Sequence, residues 1–165
     1  MLHLSCGNGK GKTTAAMGLA LRAAGRGKRV VIAQFLKGAD SGERLALAQL
    51  PQVTLLPVPD TVKFSFRMTD EERRAEAQRY QQLLHLIRQE AQDCFLLVLD
   101  EACAAVSTGL LPLDDLLSCL DRLEVFITGR APAPQLPERA DYITSMEAVR
   151  HPFTQGIPAR EGIEF

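Results

Sequence analysis

The stretch Ser5-Cys6-Gly7-Asn8-Gly9-Lys10-Gly11-Lys12-Thr13-Thr14, "SCGNGKGKTT", decides how the rest of the chain is read. It follows a short apolar run, "LHLS" at 2–5, and precedes an alanine- and leucine-rich run, "TTAAMGLALRAAG" at 13–25. Strand, glycine loop, helix and a C-cap glycine at Gly25 is the natural parse. Backbone N–H groups wrap a phosphate only where side chains stay out of the way. Gly7, Gly9 and Gly11 provide that clearance. The helix starting at Thr13 aims its N-terminus at the anion. Lys12 supplies a full charge, Lys10 a second, and Thr13 a hydroxyl for Mg2+. Cys6 stands where the pattern G-x-x-x-x-G-K-[ST] has its first glycine; that position needs a tight turn, which a small residue serves. A chance glycine-rich turn fits poorly between a strand and a helix.

Working outward, "KRVVIAQFL" at 28–36 is β-branched and mostly apolar, a strand covered on both faces. "KGADSGER" is a loop leading into a short helix over 43–50, and "VTLLPV" at 53–58 is a third strand, limited by Pro57 to an edge or an end. "TDEERRAEAQRYQQLLHLIRQEAQ" at 69–92 opens with a capping box, Thr69 and Glu72, and carries Tyr80, Leu83, Leu84, Ile87 and Ala91 on one helical face. "CFLLVLDEA" at 94–102 reads as a central parallel strand. "PLDDLLSCLDRL" at 112–123 is a helix with Pro112 in its first turn; "EVFITG" at 124–129 and "ADYITSMEA" at 140–148 are further strands. The tail from 151 is rich in Pro and Gly and reads as ordered loop, with room for a terminal edge strand. Strands alternating with helices predict a single three-layer α/β domain over 1–165, a P-loop NTPase (RecA-like) fold with a mainly parallel sheet. Ligands in such sheets bind at the carboxyl ends of the strands, where the glycine loop, Asp100 and Gly129 all fall.

"LLVLDE" supplies the second half of a site. An apolar strand ending in an acid places a carboxylate near a metal held by the loop. Asp100 holds a metal-bound water or braces Thr13, and Glu101 touches Mg2+ more directly. The structural alternative makes Asp100 a helix N-cap followed by a first-turn acid. Triphosphate with Mg2+ (or Mn2+) is the result; these features do not say which atom of the nucleotide is attacked.

Composition excludes other classes. Of 165 residues, 46% are hydrophobic and 24% charged, which suits a globular protein large enough for a proper core. A formal charge of -1 argues against a nucleic-acid partner. No apolar run approaches the ~18 residues of a membrane span, and the N-terminus lacks the pattern of a signal peptide. Cysteines at 6, 94, 103 and 119 and histidines at 3, 85 and 151 form no metal-ligand spacing. Scattered thiols suit a reducing cytoplasm, and the last three cysteines read as small core residues.

The loop and the C-terminal third together resemble the P-loop-type ATP:corrinoid adenosyltransferases. "GNGKGKTTAA" at 7–16 is similar to that family's loop, which also lacks a glycine at the Cys6 position. "QFLKG" at 34–38, "GER" at 42–44, "VLDE" at 98–101, "LLPLDDLL" at 110–117, "ITGRAP" at 127–132, "ERADYITSM" at 138–146 and "HPFTQGIPAREGIEF" at 151–165 resemble its other segments. The resemblance spans essentially the whole chain. It implies transfer of the 5′-deoxyadenosyl group of ATP to the Co(I) of a corrinoid, cobalamin or a precursor, with triphosphate leaving whole. It implies that Gly7, Asn8, Gly9, Lys10, Gly11, Lys12, Thr13 and Thr14 bind the triphosphate, that Lys12, Thr13 and Glu101 carry catalysis with Glu101 helping to hold the metal, and that Arg22 lies near the phosphates. It implies that Phe64 and Phe66 of "KFSF" approach the corrin and help displace the lower axial ligand of cobalt, favouring a Co(II) that is easier to reduce. Read from the residues alone, a core position is the better reading for those two aromatics. The second is often tryptophan in relatives, and Phe66 keeps the apolar bulk at smaller size. Many relatives carry extra residues before the first strand that fold over the corrinoid; here that strand begins near Leu2, which leaves a more open corrin site or one closed by a dimer partner. The resemblance further implies an electron donor that reduces Co(II) to Co(I), and a homodimer.

Two rivals share the loop. A small-molecule kinase needs an acceptor site and an arginine-rich lid, which "RMTDEERR" mimics while parsing better as a capped helix start. A nucleotide-switched binding module or recombination-type ATPase calls for a basic surface or an apolar partner patch, which the charge balance does not supply.

Overall fold

The computed structural model describes residues 1–63, 65–120 and 124–164. Among these, six strands form one sheet: β1 (Leu2–Cys6), β2 (Val30–Gln34), β3 (Val53–Leu55), β4 (Leu96–Asp100), β5 (Glu124–Thr128) and β6 (Tyr142–Ser145). Their order is β3-β2-β4-β5-β1-β6, and every neighbouring pair is parallel. All five residues of β2 and all five of β4 are buried, which explains their unbroken apolar sequences: a strand covered on both faces has no solvent side for polar residues.

The period of two along each strand divides the core. Val31, Ala33, Leu97, Leu99, Val125 and Ile127 face one way. There they meet α3 (Asp70–Glu90) through Tyr80, Leu83, Leu84 and Ile87, and also α4 (Ala102–Ser107), α5 (Leu113–Leu117) and α6 (Gln135–Arg139). Val30, Ile32, Leu96 and Val98 face the other way, against Ala16, Met17, Ala20, Ala23 and Ala24 of α1 (Lys12–Gly25) and Leu47 of α2 (Gly42–Leu47). Alanines on the buried stripe of α1 let it lie close to the sheet. The capping box at Thr69 and Glu72 is present: the Thr69 hydroxyl accepts from the Glu72 N–H and the Glu72 carboxylate accepts from the Thr69 N–H. Tyr80 is fully buried, stacked edge-on to Phe35 at 5.1 Å, and its hydroxyl accepts from the Leu36 N–H at 2.9 Å.

Several expectations are corrected. Gly25 is the last helical residue of α1, not its cap; the left-handed turn falls at Gly27 (φ 70), where the Arg26 and Gly27 N–H groups bond the Ala23 and Ala24 carbonyls. Asp100 ends β4 and caps nothing, because Glu101, at φ 57, is the residue that turns the chain into α4. Pro112 precedes α5, and that helix is only five residues long. Among the described residues the tail holds a 3-10 turn at Pro152–Gln155 and no strand.

Candidate functional site

Start with the loop. Gly11, at φ 113, is the N-cap of α1, with no side-chain cap and no acidic residue in the first turn. The leading N–H groups of a 14-residue helix are thus left for an anion. Lys12 is buried, and its ammonium donates to the Gly9 carbonyl at 2.6 Å. Burial is the main influence on it and holds its pKa below the ordinary lysine value; Arg130 acts the same way, while Glu101 opposes it.

The glycines do more than clear space for a ligand. A Cβ on Gly7 would lie 2.4 Å from the Met146 carbonyl oxygen, and one on Gly9 would lie 2.8 Å from backbone carbons of Met146 and Glu147. The Gly9 N–H donates to the Met146 carbonyl at 2.7 Å, Met146 N–H to the Cys6 carbonyl at 2.9 Å, and the Ala148 N–H to Asn8 Oδ1 at 3.0 Å. The chain leaving β6 therefore braces the loop from behind. In front, Lys10 donates to the Ile163 carbonyl at 2.9 Å, which brings the tail over the loop.

Asp100 is the centre of the site. It is fully buried, and its carboxylate accepts three hydrogen bonds and one ion pair. Oδ1 takes the hydroxyls of Thr13 (3.0 Å) and Thr128 (2.7 Å). Oδ2 takes Gln34 Nε2 (3.0 Å) and the Lys37 ammonium (2.9 Å). Arg44 on α2 holds Gln34 in place by donating to its Oε1 at 2.8 Å. Asp100 thus braces Thr13, one of the two roles expected for it. Glu101 follows on a left-handed backbone that costs a non-glycine residue about 1–2 kcal/mol; its N–H donates to Thr128 Oγ1 at 2.9 Å. Burial, then the charge of Asp100, pushes the Glu101 carboxyl above the usual glutamate range, with Lys37, Lys12 and Arg130 pulling it back.

These groups border a crevice of about 390 Å³, lined along one wall by Asn8 to Thr14 and elsewhere by Lys37, Glu101, Arg130, His151 and Glu164. A second cavity of about 560 Å³ adjoins it, sharing Asn8, Arg130 and His151 and walled by Phe153, Ile157 and Pro158. One end holds bare amides, three lysines and Arg130 alongside the carboxylates of Asp40, Glu43, Glu101 and Glu164; the other is apolar. An elongated ligand with an anionic end and a flat apolar end matches both. Among the described residues no three His, Cys, Asp or Glu side chains form a metal cluster. The oxygen donors of Thr13, Asp100 and Glu101 suit a hard cation that keeps most of its shell from phosphates and water, as Mg2+ does.

Of the expected site residues, Asn8, Gly9, Lys10, Gly11, Lys12, Thr13, Thr14 and Glu101 line the crevice, and Asp100 braces it from beneath. Arg22 does not join them. It is exposed in the last turn of α1, nine residues beyond Thr13 and roughly 13 Å along the axis. Phe66 is 78% exposed on a 3-10 turn, Ser65–Arg67, so it is not a core residue. Phe64 lies outside the described residues. Gln34, Lys37, Arg44, Thr128 and Arg130 were not singled out from the sequence. One signal was available: a glutamine ending an otherwise apolar, doubly covered strand must find a buried polar partner.

The family model "ATP:corrinoid adenosyltransferase BtuR/CobO/CobP" matches residues 1–165. A protein named corrinoid adenosyltransferase in Pseudomonas aeruginosa is 36% identical over 173 residues, covering 100% of this chain and 83% of that protein. One of the same name in Escherichia coli K12 is 35% identical over 166 residues, covering 96% and 82%. Corrinoid adenosyltransferase CobA of Salmonella typhimurium is 34% identical over 171 residues, covering 96% and 82%. A match over the whole length, with bare amides, lysines and a buried acid converging where the sequence placed them, leads to one conclusion: the chain belongs to the ATP:corrinoid adenosyltransferase family.

Proposed function

We propose that the protein transfers the 5′-deoxyadenosyl group of ATP to the Co(I) of a corrinoid and releases triphosphate whole. The observation that carries this is the crevice itself: uncapped α1 amides with Lys10, Lys12, Lys37 and Arg130 around a space sized for a polyphosphate. The adjoining apolar cavity takes the nucleoside, which leaves the 5′ carbon where the two spaces meet.

The reaction forms a cobalt–carbon bond with an electron pair from Co(I) and breaks the bond from the 5′ carbon to the α-phosphate oxygen. That oxygen keeps the pair, so negative charge grows on the triphosphate. Lys10, Lys12 and the α1 amides stabilise that charge as it appears. No proton is removed from the nucleophile, so no side chain has to act as general base. Alignment of the 5′ carbon with cobalt is the other large contribution, about 7–11 kcal/mol in favourable cases. Thr13, Asp100 and Glu101 would hold Mg2+ (or Mn2+), which supplies further neutralisation of the leaving group. Thr128, Gln34 and Arg44 keep the carboxylate of Asp100 fixed beneath Thr13. The reading carries with it a single domain, a homodimer, a cytoplasmic setting and an electron donor that supplies Co(I).

The test is direct. The protein is mixed with ATP, Mg2+ and chemically reduced cobalamin. The expected result is the light-sensitive adenosyl–cobalt spectrum with one triphosphate released per corrinoid. Formation of ADP instead, with no cobalt–carbon product, assigns the loop to a kinase and overturns the proposal.

A further inference from the structure

Lys37 sits just beyond β2, and its ammonium makes two contacts that bear on the metal seat proposed above. It donates to Thr13 Oγ1 at 2.7 Å and pairs with Asp100 Oδ2 at 2.9 Å. The Thr13 hydroxyl gives its proton to Asp100 Oδ1 at 3.0 Å, so Lys37 occupies an oxygen lone pair that a metal would use. The Asp100 carboxylate offers about four acceptor directions; hydrogen-bond donors Thr13, Thr128 and Gln34 take three, and the Lys37 ammonium adds an ion pair at Oδ2. Those three donors are neutral and fixed by strands or by α1. Lys37 alone is charged and on a flexible stem, with a side chain 29% exposed that also lines the crevice.

We infer that Lys37 is a displaceable counter-ion: in the nucleotide-free protein its ammonium holds the cation seat between Thr13 and Asp100, and on loading it yields that seat and turns onto the polyphosphate. Without it, a fully buried carboxylate beneath the crevice loses its one ion-pair partner, which is a costly state. With it, a bare divalent cation has to evict an ammonium and gains little. A cation arriving on ATP brings phosphate oxygens that offer Lys37 a new partner, so displacement becomes favourable only for the metal–nucleotide complex. Lys37 thereby couples metal binding to nucleotide binding. It acts as a positioning residue and does not touch the reacting carbon. This inference rests on the metal seat at Thr13 and Asp100.

The experiment uses the full chain with Mn2+ as the probe, free Mn2+ being read by electron paramagnetic resonance, without corrinoid. In Lys37→Gln, Mn2+ alone binds roughly tenfold tighter than in the parent, a coupling of ordinary size, while Mn2+ with ATP binds more weakly because the polyphosphate has lost a cation. The two changes have opposite signs, whereas a merely structural role weakens both. An unchanged or weaker affinity of Lys37→Gln for Mn2+ alone overturns the inference. The parent chain gives a second reading that needs no variant: Mn2+ alone leaves its Tm unmoved while Mn2+ with ATP raises it, and equal stabilisation by both also overturns the inference. Thr13→Val separates the two levels. If it binds Mn2+ with ATP as well as the parent does, the metal seat itself is wrong; if it does not, a failed Lys37 result sinks the counter-ion alone.

Discussion

Asp100 and Glu101 are neighbours in sequence with opposite surroundings. Four donors surround the first, while the second is penalised by burial and by the first one's charge. The folded-state pKa of Glu101 lies above the ordinary 4.5, so the native state binds a proton more readily there than the unfolded chain. The cost to stability is therefore full above that raised value and vanishes below about 4.5. Nucleotide-free Glu101→Gln is expected to have a higher Tm than the parent at neutral pH. The gain should shrink as pH falls through the raised pKa, and adenosyl transfer should be lost by a hundredfold or so if the carboxylate helps hold the metal (about 10²-fold for one electrostatic group). A Tm difference that does not change with pH would show that the penalty is not one of charge. That carboxylate was legible in the sequence as the acid ending an apolar strand. Its strained backbone was not, because nothing in "LDEA" announces that the turn into a helix is made at φ 57 by a glutamate.

At the scale of elements, the glycine loop was legible because it is a local object: a strand, small residues and a helix in unbroken succession. Its support was not legible, because that support comes from the far end of the chain. Gly9 meets the backbone of Met146 and Glu147, which lies there only because β6 pairs with β1 at the sheet's edge, with Cys6 opposite Ser145. In Gly9→Ala the new methyl would fall 2.8 Å from backbone atoms that cannot swing aside. Stability should drop by about 1–3 kcal/mol in urea unfolding, and ATP affinity should fall with it. An alanine variant as stable as the parent would mean that the brace is slack. Long periodic elements such as α3 were read nearly whole, since Thr69, Glu72 and the apolar face carry their own signals. Short ones such as α4 and α6, at six and five residues, carry too few turns for a period to show.

Across the whole molecule, the site depends on strand order. The chains leaving β3 and β6 start from opposite edges of the sheet, five strand spacings or roughly 24 Å apart. The β6 side supplies the tail that closes the second cavity. The β3 side leads to Phe66, 78% exposed, with the Arg67 guanidinium 5.6 Å from its ring. The proposed function sets this aromatic against the corrin. Phe66→Ala is expected to slow turnover about tenfold, near 1.4 kcal/mol of barrier, when the assay starts from Co(II). It should do much less when Co(I) is supplied, because displacement of the axial ligand matters only before reduction. Equal losses in the two assays would remove that role. No described helix is long and apolar enough to cross a membrane. The sequence by itself determined the six strands in chain order, the longer helices, the glycine loop and the acid beyond it, since these follow from backbone preferences and periods a few residues long. Only the tertiary structure decided which polar groups meet at that acid. Thr13, Gln34 and Thr128 reach Asp100 from 87, 66 and 28 residues away, and contacts at such separations exist because parallel strands bring their carboxyl ends to one edge, whatever lies between them in the chain.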